Sequence, residues 1–191
     1  PGKQVRLVVP YSPGGGADTT ARLIQPKLQE ALGQTVVIDN RPGAGGMIGD
    51  EAVAKAAPDG YTLLENTITT HGIGLHLFSK LPYDPVKDFT PVTLVASSAL
   101  MLVVHSSSPA KSVRELVALA QERPGQIAFA SAGTGTSTHL ALELLRTMAK
   151  VDITHVPYKG GGVGIVQVVG GQVQGSINPV TLVLPHGKAG R

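Results

Sequence analysis

The stretch Val5-Arg6-Leu7-Val8-Val9-Pro10-Tyr11-Ser12-Pro13-Gly14-Gly15-Gly16-Ala17-Asp18 decides the fold. Five residues, four of them β-branched or leucine, make a short apolar run that reads as a buried strand and stops at Pro10. A loop with three consecutive glycines follows. Ala21, Ile24, Leu28 and Leu32 then recur at helical spacing, and Gly33 supplies a natural C-terminal cap. Pro26 falls inside that helix, where it removes one hydrogen bond and predicts a kink. Strand, glycine loop, helix is the unit of a parallel α/β protein.

The unit recurs along the chain. Val36–Ile38 reads as a second strand, followed by the glycine loop Arg41–Gly46 and a helix reaching about Ala57, closed by Pro58-Asp59-Gly60. Tyr61–Leu64 is a third strand, Ile68–Phe78 is weakly helical, and Leu81–Pro85 is a loop. Val92–Val95 and Leu100–Val104 read as strands. Ser112-Val113-Arg114-Glu115 is a capping box, opening a helix with Val113, Leu116, Val117 and Ala120 as its buried stripe. Gln126–Ala130 is a strand. Gly133–Thr138 then leads into a helix with Leu140, Leu144 and Met148 on one face. Ile153–Val156, a short helix ending at Val169, the strand Gln172–Ile177 and a helix over Val180–His186 complete the pattern. The prediction is α/β with largely parallel sheets in two lobes, 1–99 and 100–191.

Composition narrows the function. With 42% hydrophobic and 15% charged residues over 191 positions, the chain has the makings of a packed globular protein. It has no cysteine, which excludes disulfides, thiolate metal sites and cysteine nucleophiles, and suits an oxidising compartment. No apolar run is long enough to span a bilayer. The chain begins at Pro1, which points to a removed leader or to numbering that starts inside an expressed segment. The net charge of +3 is lopsided: residues 100–191 carry eight Lys/Arg against four Asp/Glu. That bias suits an anionic ligand. With no basic run and no tryptophan, nucleic acid is not an expected partner.

Three loops share one design: Pro13–Gly16, Gly133–Thr136 and Gly160–Gly162 each join a strand to a helix start. Glycine lets backbone approach a ligand, and free amides at a helix start attract an anion. Two such loops from two lobes, facing each other, would hold a carboxylate at each end. On this reading the amides of Gly14 and Gly15, and those near Thr134 and Thr136, hold carboxylates. Ser131, Gly133, Thr134, Thr136, Ser137 and Thr138 surround one helix start, as caps or as carboxylate donors. Asp18 either caps its helix and complements its dipole, or orients the loop or meets an amino group. His139 either touches a ligand or is a satisfied structural histidine.

Catalytic patterns are missing. Neither the phosphate-binding Gly-Lys-Ser/Thr ending nor spaced dinucleotide-binding glycines are present, and no Gly-x-Ser-x-Gly elbow exists. The six histidines show no zinc spacing, so no metal is expected. No pair of carboxylates forms an acid/base couple. Binding is favoured over catalysis, and the chain is read as not an enzyme.

The stretch Val8–Arg22 resembles the start of the Bug-type extracytoplasmic solute receptors of tripartite tricarboxylate transporters. Asp39–Gly46, Ala57–Leu63, Lys80–Phe89, Thr154–Gly160, Gly170–Val173 and Leu184–His186 resemble further motifs of that family, in order. The resemblance implies a periplasmic protein of the type II periplasmic-binding-protein-like fold, with two α/β lobes around a cleft. It implies a small carboxylate ligand (a dicarboxylate, tricarboxylate, acidic amino acid or aromatic acid) and no cofactor. It implies the transporter's membrane components as partners. Ligand contacts are expected from the loops matching Tyr11–Asp18 and Ser131–His139, with Tyr11 as a wall or hydroxyl. Thr67 and Thr70, in the stretch matching Thr67–His71, and Asn178 are expected to add to them. Members of the family run longer than this chain. The segment that returns to the first lobe is therefore expected to be missing, leaving that lobe incomplete and open to dimerisation. Asn178-Pro179 stands where the family commonly has Asp-Asn, which removes a negative charge. Thr70–Gly74 lacks the family's Asn. A ligand sensor on the same fold and a truncated relative that binds nothing are the alternatives.

Overall fold

The computed structural model describes residues 2–190. Contacts gather the chain into two compact units, Pro1–Ser97 and Ser98–Arg191.

The first unit holds β1 (Val5–Val9), α1 (Gly16–Leu32), β2 (Val36–Asn40), α2 (Met47–Ala54), β3 (Thr62–Leu64) and α3 (Gly74–Leu77). The sheet order is β2-β1-β3, and both pairings are parallel, with Leu7 level with Ile38 and Leu63. Parallel neighbours require the crossover helices that the glycine loops begin. Val5, Leu7, Val9, Ala21 and Val36 form the core, with Ile24 and Leu28 packed against it. Leu32, at the end of the expected stripe, is 46% exposed because the core stops a turn earlier. The helix runs unbroken from Gly16 to Leu32 with Pro26 inside it, and Gly33 closes it in the left-handed conformation at φ 61°. Side chains stitch α1 to the start of β2: Gln25 donates to the Val36 carbonyl at 2.7 Å, and the Val36 amide donates to Gln29 at 3.0 Å.

Val92–Val95 is not a strand. Val92 and Leu94 are both 84% exposed, and no strand among the described residues pairs with them. Apolar composition alone does not make a strand; a neighbouring edge does.

The second unit holds β4 (Leu100–Val104), α4 (Val113–Glu122), β5 (Ala128–Ser131), α5 (Ser137–Ala149), β6 (Thr154–Pro157), α6 (Gly161–Val169), β7 (Gly175–Pro179) and α7 (Val180–Lys188). Its sheet order is β4-β7-β5-β6, parallel except for β4 against β7. Both faces of the sheet are covered. Phe129, Ile153 and Ile177 pack with Leu116, Ala120 and Leu142 of α4 and α5. Ala130 packs with Ile165, Val168, Leu182 and Val183 of α6 and α7. Adjacent Phe129 and Ala130 thus serve opposite faces, as strand geometry dictates.

Two expected helix faces change. On α5 the buried face is Thr138 and Leu142, with Ala141, Leu145 and Ala149 beside it, whereas Leu144 and Met148 are 60% and 76% exposed. A leucine-rich helix offers two candidate stripes, and the sheet takes the one with the smaller side chains. On α4, Val113 is 54% exposed because it sits in the first turn, beyond the core. The capping box is also modified. Ser112 accepts from the Glu115 amide at 3.2 Å, but the Glu115 carboxylate takes the Lys111 amide at 2.6 Å.

Candidate ligand-binding loops

In open α/β sheets, ligands gather beyond the carboxyl ends of the strands. In the first unit that end carries the Pro10–Gly15 loop after β1, Asn40 at the end of β2, and Thr67–Thr70 after β3.

The glycine loop is held by one buried carboxylate. Asp18 is 2% exposed. Its Oδ2 accepts from the Gly14 amide and from Arg22 Nε, both at 2.9 Å, and its Oδ1 accepts from Asn40 Nδ2 at 2.9 Å. Burial opposes ionisation, but these three donors outweigh it and hold the carboxyl below its usual range. Asn40 also donates to the Tyr11 carbonyl at 3.1 Å, so the loop is pinned at both ends. One expectation is corrected here: the Gly14 amide is taken by Asp18. Of the alternatives for Asp18, its bonds to Gly14 and Asn40 are those of a residue that orients the loop. The amides on offer lie one step later. Gly15 caps α1 with extended backbone and no side-chain cap, and the first amide bonded inside the helix is that of Thr19, to the Gly15 carbonyl at 2.9 Å. The preceding first-turn amides of Gly16, Ala17 and Asp18 therefore have no intrahelical acceptor.

Tyr11 braces three loops. Its hydroxyl donates to the Gly45 carbonyl at 3.2 Å and accepts from Thr67 Oγ1 at 2.9 Å. Burial pushes the phenol above its usual range, with the bonds to Thr67 and Thr69 partly offsetting this. Gly46, at φ 109°, passes so close that a Cβ would lie 3.0 Å from Thr70 Cγ2 and 3.2 Å from the Tyr11 hydroxyl oxygen. Thr70 is 1% exposed, with its hydroxyl 3.3 Å from His71 Nδ1. Behind it lies a cluster that the sequence reading missed. The fully buried Asp50 of α2 sits 3.3 Å from His71 Nδ1 and accepts from the Tyr83 hydroxyl at 3.4 Å. Phe89 packs edge-on against both the His71 and Tyr83 rings. Burial, then the Asp50 charge, raises the Tyr83 phenol. In sequence, Tyr83 and Phe89 fall within the Lys80–Phe89 motif and His71 within Thr67–His71, with nothing to link them to Asp50.

In the second unit the loop after β5 satisfies its own hydroxyls. Ser131 Oγ, 1% exposed, accepts from the Gly133 amide at 3.1 Å and lies 2.6 Å from His155 Nε2. Thr136 Oγ1 donates to the Gly133 carbonyl at 2.6 Å and caps α5 by accepting from the His139 amide at 3.4 Å. Thr138 Oγ1 accepts from the Ala132 amide at 2.9 Å, and its own proton is left to reach Thr136 Oγ1, also 2.9 Å away. Ser131, Thr136 and Thr138 are thus bonded within the loop, with Thr136 as the cap of α5, which is the capping alternative of the two that the sequence offers. The Thr134 side chain is exposed. Gly133 and Gly135 both have positive φ, at 133° and 81°. His139 Nδ1 accepts from the Gly135 amide at 3.1 Å, and its Nε2 faces Glu143 at 3.5 Å. Its ring stacks on His155 at 4.0 Å between centroids. Burial, then the nearby His139, lowers the His155 pKa, against the opposing pull of Glu143. Ser131 and His155 sit like a nucleophile and its base. The serine, however, is buried and its oxygen already accepts an amide proton, so no attack geometry is offered.

Asn178 is fully buried on β7, two residues beyond the Ala130–Ser176 pair and so just past the end of β5. Neither of its amide atoms has a bonded partner among the described residues. It lies under the first turn of α6, where a Cβ on Gly161 would come within 2.6 Å of its Oδ1. The third glycine loop, Gly160–Gly162, therefore joins the end of the sheet that carries the 131–139 loop. Among the described residues no group of three His, Cys, Asp or Glu side chains is placed to hold a metal ion.

Comparison with known proteins places the chain in context. Residues 20–191 match the family described as Tripartite tricarboxylate transporter family receptor, TctC. Protein BugT of Bordetella pertussis (strain Tohama I) is 39% identical over 191 residues, all of this chain and 59% of that protein. Rpa4515 of R. palustris, solved with adipate, superposes with a TM-score of 0.95 at 39% identity, covering all of this chain and 64% of that one. MatC (Rpa3494) from Rhodopseudomonas palustris, solved with bound malate, gives a TM-score of 0.93 at 37% identity, with 65% of that chain covered. The chain thus spans between half and two thirds of the length of the relatives it matches.

Proposed function

Because the chain belongs to the tripartite tricarboxylate transporter receptor family, we propose that it is the solute-binding receptor of such a transporter, working in the periplasm on a small carboxylate. The observation that carries the reading is the construction of the two loops. In each, side chains are spent on holding the loop, and ahead of α1 the first-turn amides of Gly16, Ala17 and Asp18 are left without an intrahelical acceptor. Each loop then binds a carboxylate group through backbone amides, in the field of a helix N-terminus. The ligands held by Rpa4515 and MatC, adipate and malate, are dicarboxylates of the kind such loops would take. The second unit's positive bias favours the same ligands. The role is capture and delivery to the membrane components, without chemistry on the ligand. No helix among the described residues is long and apolar enough to cross a membrane.

Calorimetric titration of the purified chain with adipate and malate tests this reading. Saturable one-site binding to either supports it. Absence of heat and of thermal stabilisation across a panel of dicarboxylates, tricarboxylates, acidic amino acids and aromatic acids refutes it.

A further inference from the structure

His155 lies outside the ligand-contacting residues expected from sequence, yet it touches two parts of the 131–139 loop. Its Nε2 is 2.6 Å from Ser131 Oγ, and its ring lies on that of His139 at 4.0 Å and 27°. Ser131 Oγ in turn accepts from the Gly133 amide at 3.1 Å, and His139 Nδ1 accepts from the Gly135 amide at 3.1 Å. Two glycines with positive φ, on either side of Thr134, are thus fixed by one side-chain assembly.

The protonation state of this assembly is constrained. To accept from Gly135, His139 Nδ1 must carry a lone pair, which places its proton on Nε2, facing Glu143 at 3.5 Å. Charging His155 sets a cation against the His139 face and beside Arg146, which pairs with Glu143 at 2.7 Å and faces Asp152 at 3.6 Å. Among the described residues, the groups set about the pair are Glu143 and Arg146 from α5 and the Ser131 hydroxyl from β5, with Asp152, before β6, facing Arg146.

We propose that His155 is a positioning residue for carboxylate capture: bonded to Ser131 and stacked on His139, it keeps the 131–139 loop in its binding shape only while its own imidazole is neutral. Binding by this loop is then lost on acidification, as pH falls below about 6.5, the ordinary imidazole value that His155 lies under. This rests on the carboxylate-receptor reading above, and its test separates the two.

Adipate affinity of the full chain is measured by calorimetry at steps from neutral to acidic pH for wild type, His155→Leu and His155→Gln. The wild type should weaken by roughly tenfold or more on acidification, the scale of one lost charge-assisted hydrogen bond. His155→Leu should weaken binding at neutral pH with unfolding still cooperative. His155→Gln should recover most of that loss, because its amide can bond Ser131, while flattening the pH profile. A flat wild-type profile, or an unchanged profile in His155→Gln, overturns the proposal. If the wild type takes up no dicarboxylate at neutral pH, the receptor reading fails, and the Gly133 and Gly135 amide resonances decide the loop claim alone. The two should shift together with histidine titration in the wild type and lose that coupling in His155→Gln; independent or absent shifts overturn it.

Discussion

Replacing Gly16 by proline removes one amide from the proposed anion site and leaves the rest of the loop in place. Gly16 is the first residue of α1, the helix position at which proline is best tolerated, because its missing N–H has no intrahelical partner there. The residue before a proline must be extended, and Gly15 already is, at φ −81° and ψ 173°. Gly16 is absent from the positive-φ positions, so a fixed φ near −65° fits. The Gly16 carbonyl still accepts from Thr20 Oγ1 at 3.0 Å. Stability should therefore hold or rise by about 0.4–1 kcal/mol, through lower entropy of the unfolded chain. A hydrogen bond to a charged group contributes about 1.5–3 kcal/mol, so losing one weakens carboxylate binding by about 10- to 150-fold. Adipate calorimetry beside thermal unfolding reads both effects. Unchanged affinity in a normally folded variant would refute the claim that the first-turn amides of α1 hold the ligand.

Other outcomes follow from the same contacts. Asp18→Asn should cost about 1–3 kcal/mol, since a buried acceptor of three donors loses its charge. Because the folded carboxyl titrates below its unfolded value, its contribution is present above about pH 4 and fades as pH falls further; urea unfolding against pH should show a shallower acid slope in the variant. Thr136→Val should lose about 1 kcal/mol of stability with its cap, and Thr136→Ser should restore it in thermal melts. Gly175→Ala should destabilise by about 1–3 kcal/mol or more in the same assay. Its Cβ would stand 2.0 Å from Phe129 Cε1 and 2.7 Å from the Val103 carbonyl, a backbone atom that cannot step aside.

The parts of the fold legible in sequence are those where local pattern and tertiary need coincide. Val5–Val9, its glycine turn and the capped end of α1 at Gly33 are fixed by apolar run, turn chemistry and spacing together. Val92–Val95 has the composition of a strand and finds no edge to join, which no local signal reveals. The buried face of α5 depends on which side meets Phe129 and Ile153, and sequence offers leucines on both. At the site, the glycine loops are readable because positive φ and close approach require glycine. The duties of Asp18, Asn40 and His155 are not, because their partners lie 4, 22, 24 or 29 residues away.

The internal satisfaction of the loop hydroxyls changes how affinity should be understood. A flexible Gly/Thr loop that ordered itself around a ligand would spend much of its binding energy on lost conformational freedom. Here Ser131, Thr136 and Thr138 form a closed chain of donors and acceptors from Ala132 through to the His139 amide, so the ordering is done during folding. On the proposed reading, the loop backbone is therefore set in shape before a carboxylate arrives. Substitutions within the chain should then weaken binding even where the side chain never meets the ligand, while the exposed Thr134 side chain can change freely. Backbone amides recognise a carboxylate without reading the rest of the molecule. Discrimination among acids of similar charge must therefore come from residues outside this chain of hydroxyls. Asn178 is one candidate: buried and without a bonded partner for either amide atom among the described residues, it has hydrogen-bonding capacity that the loop does not use.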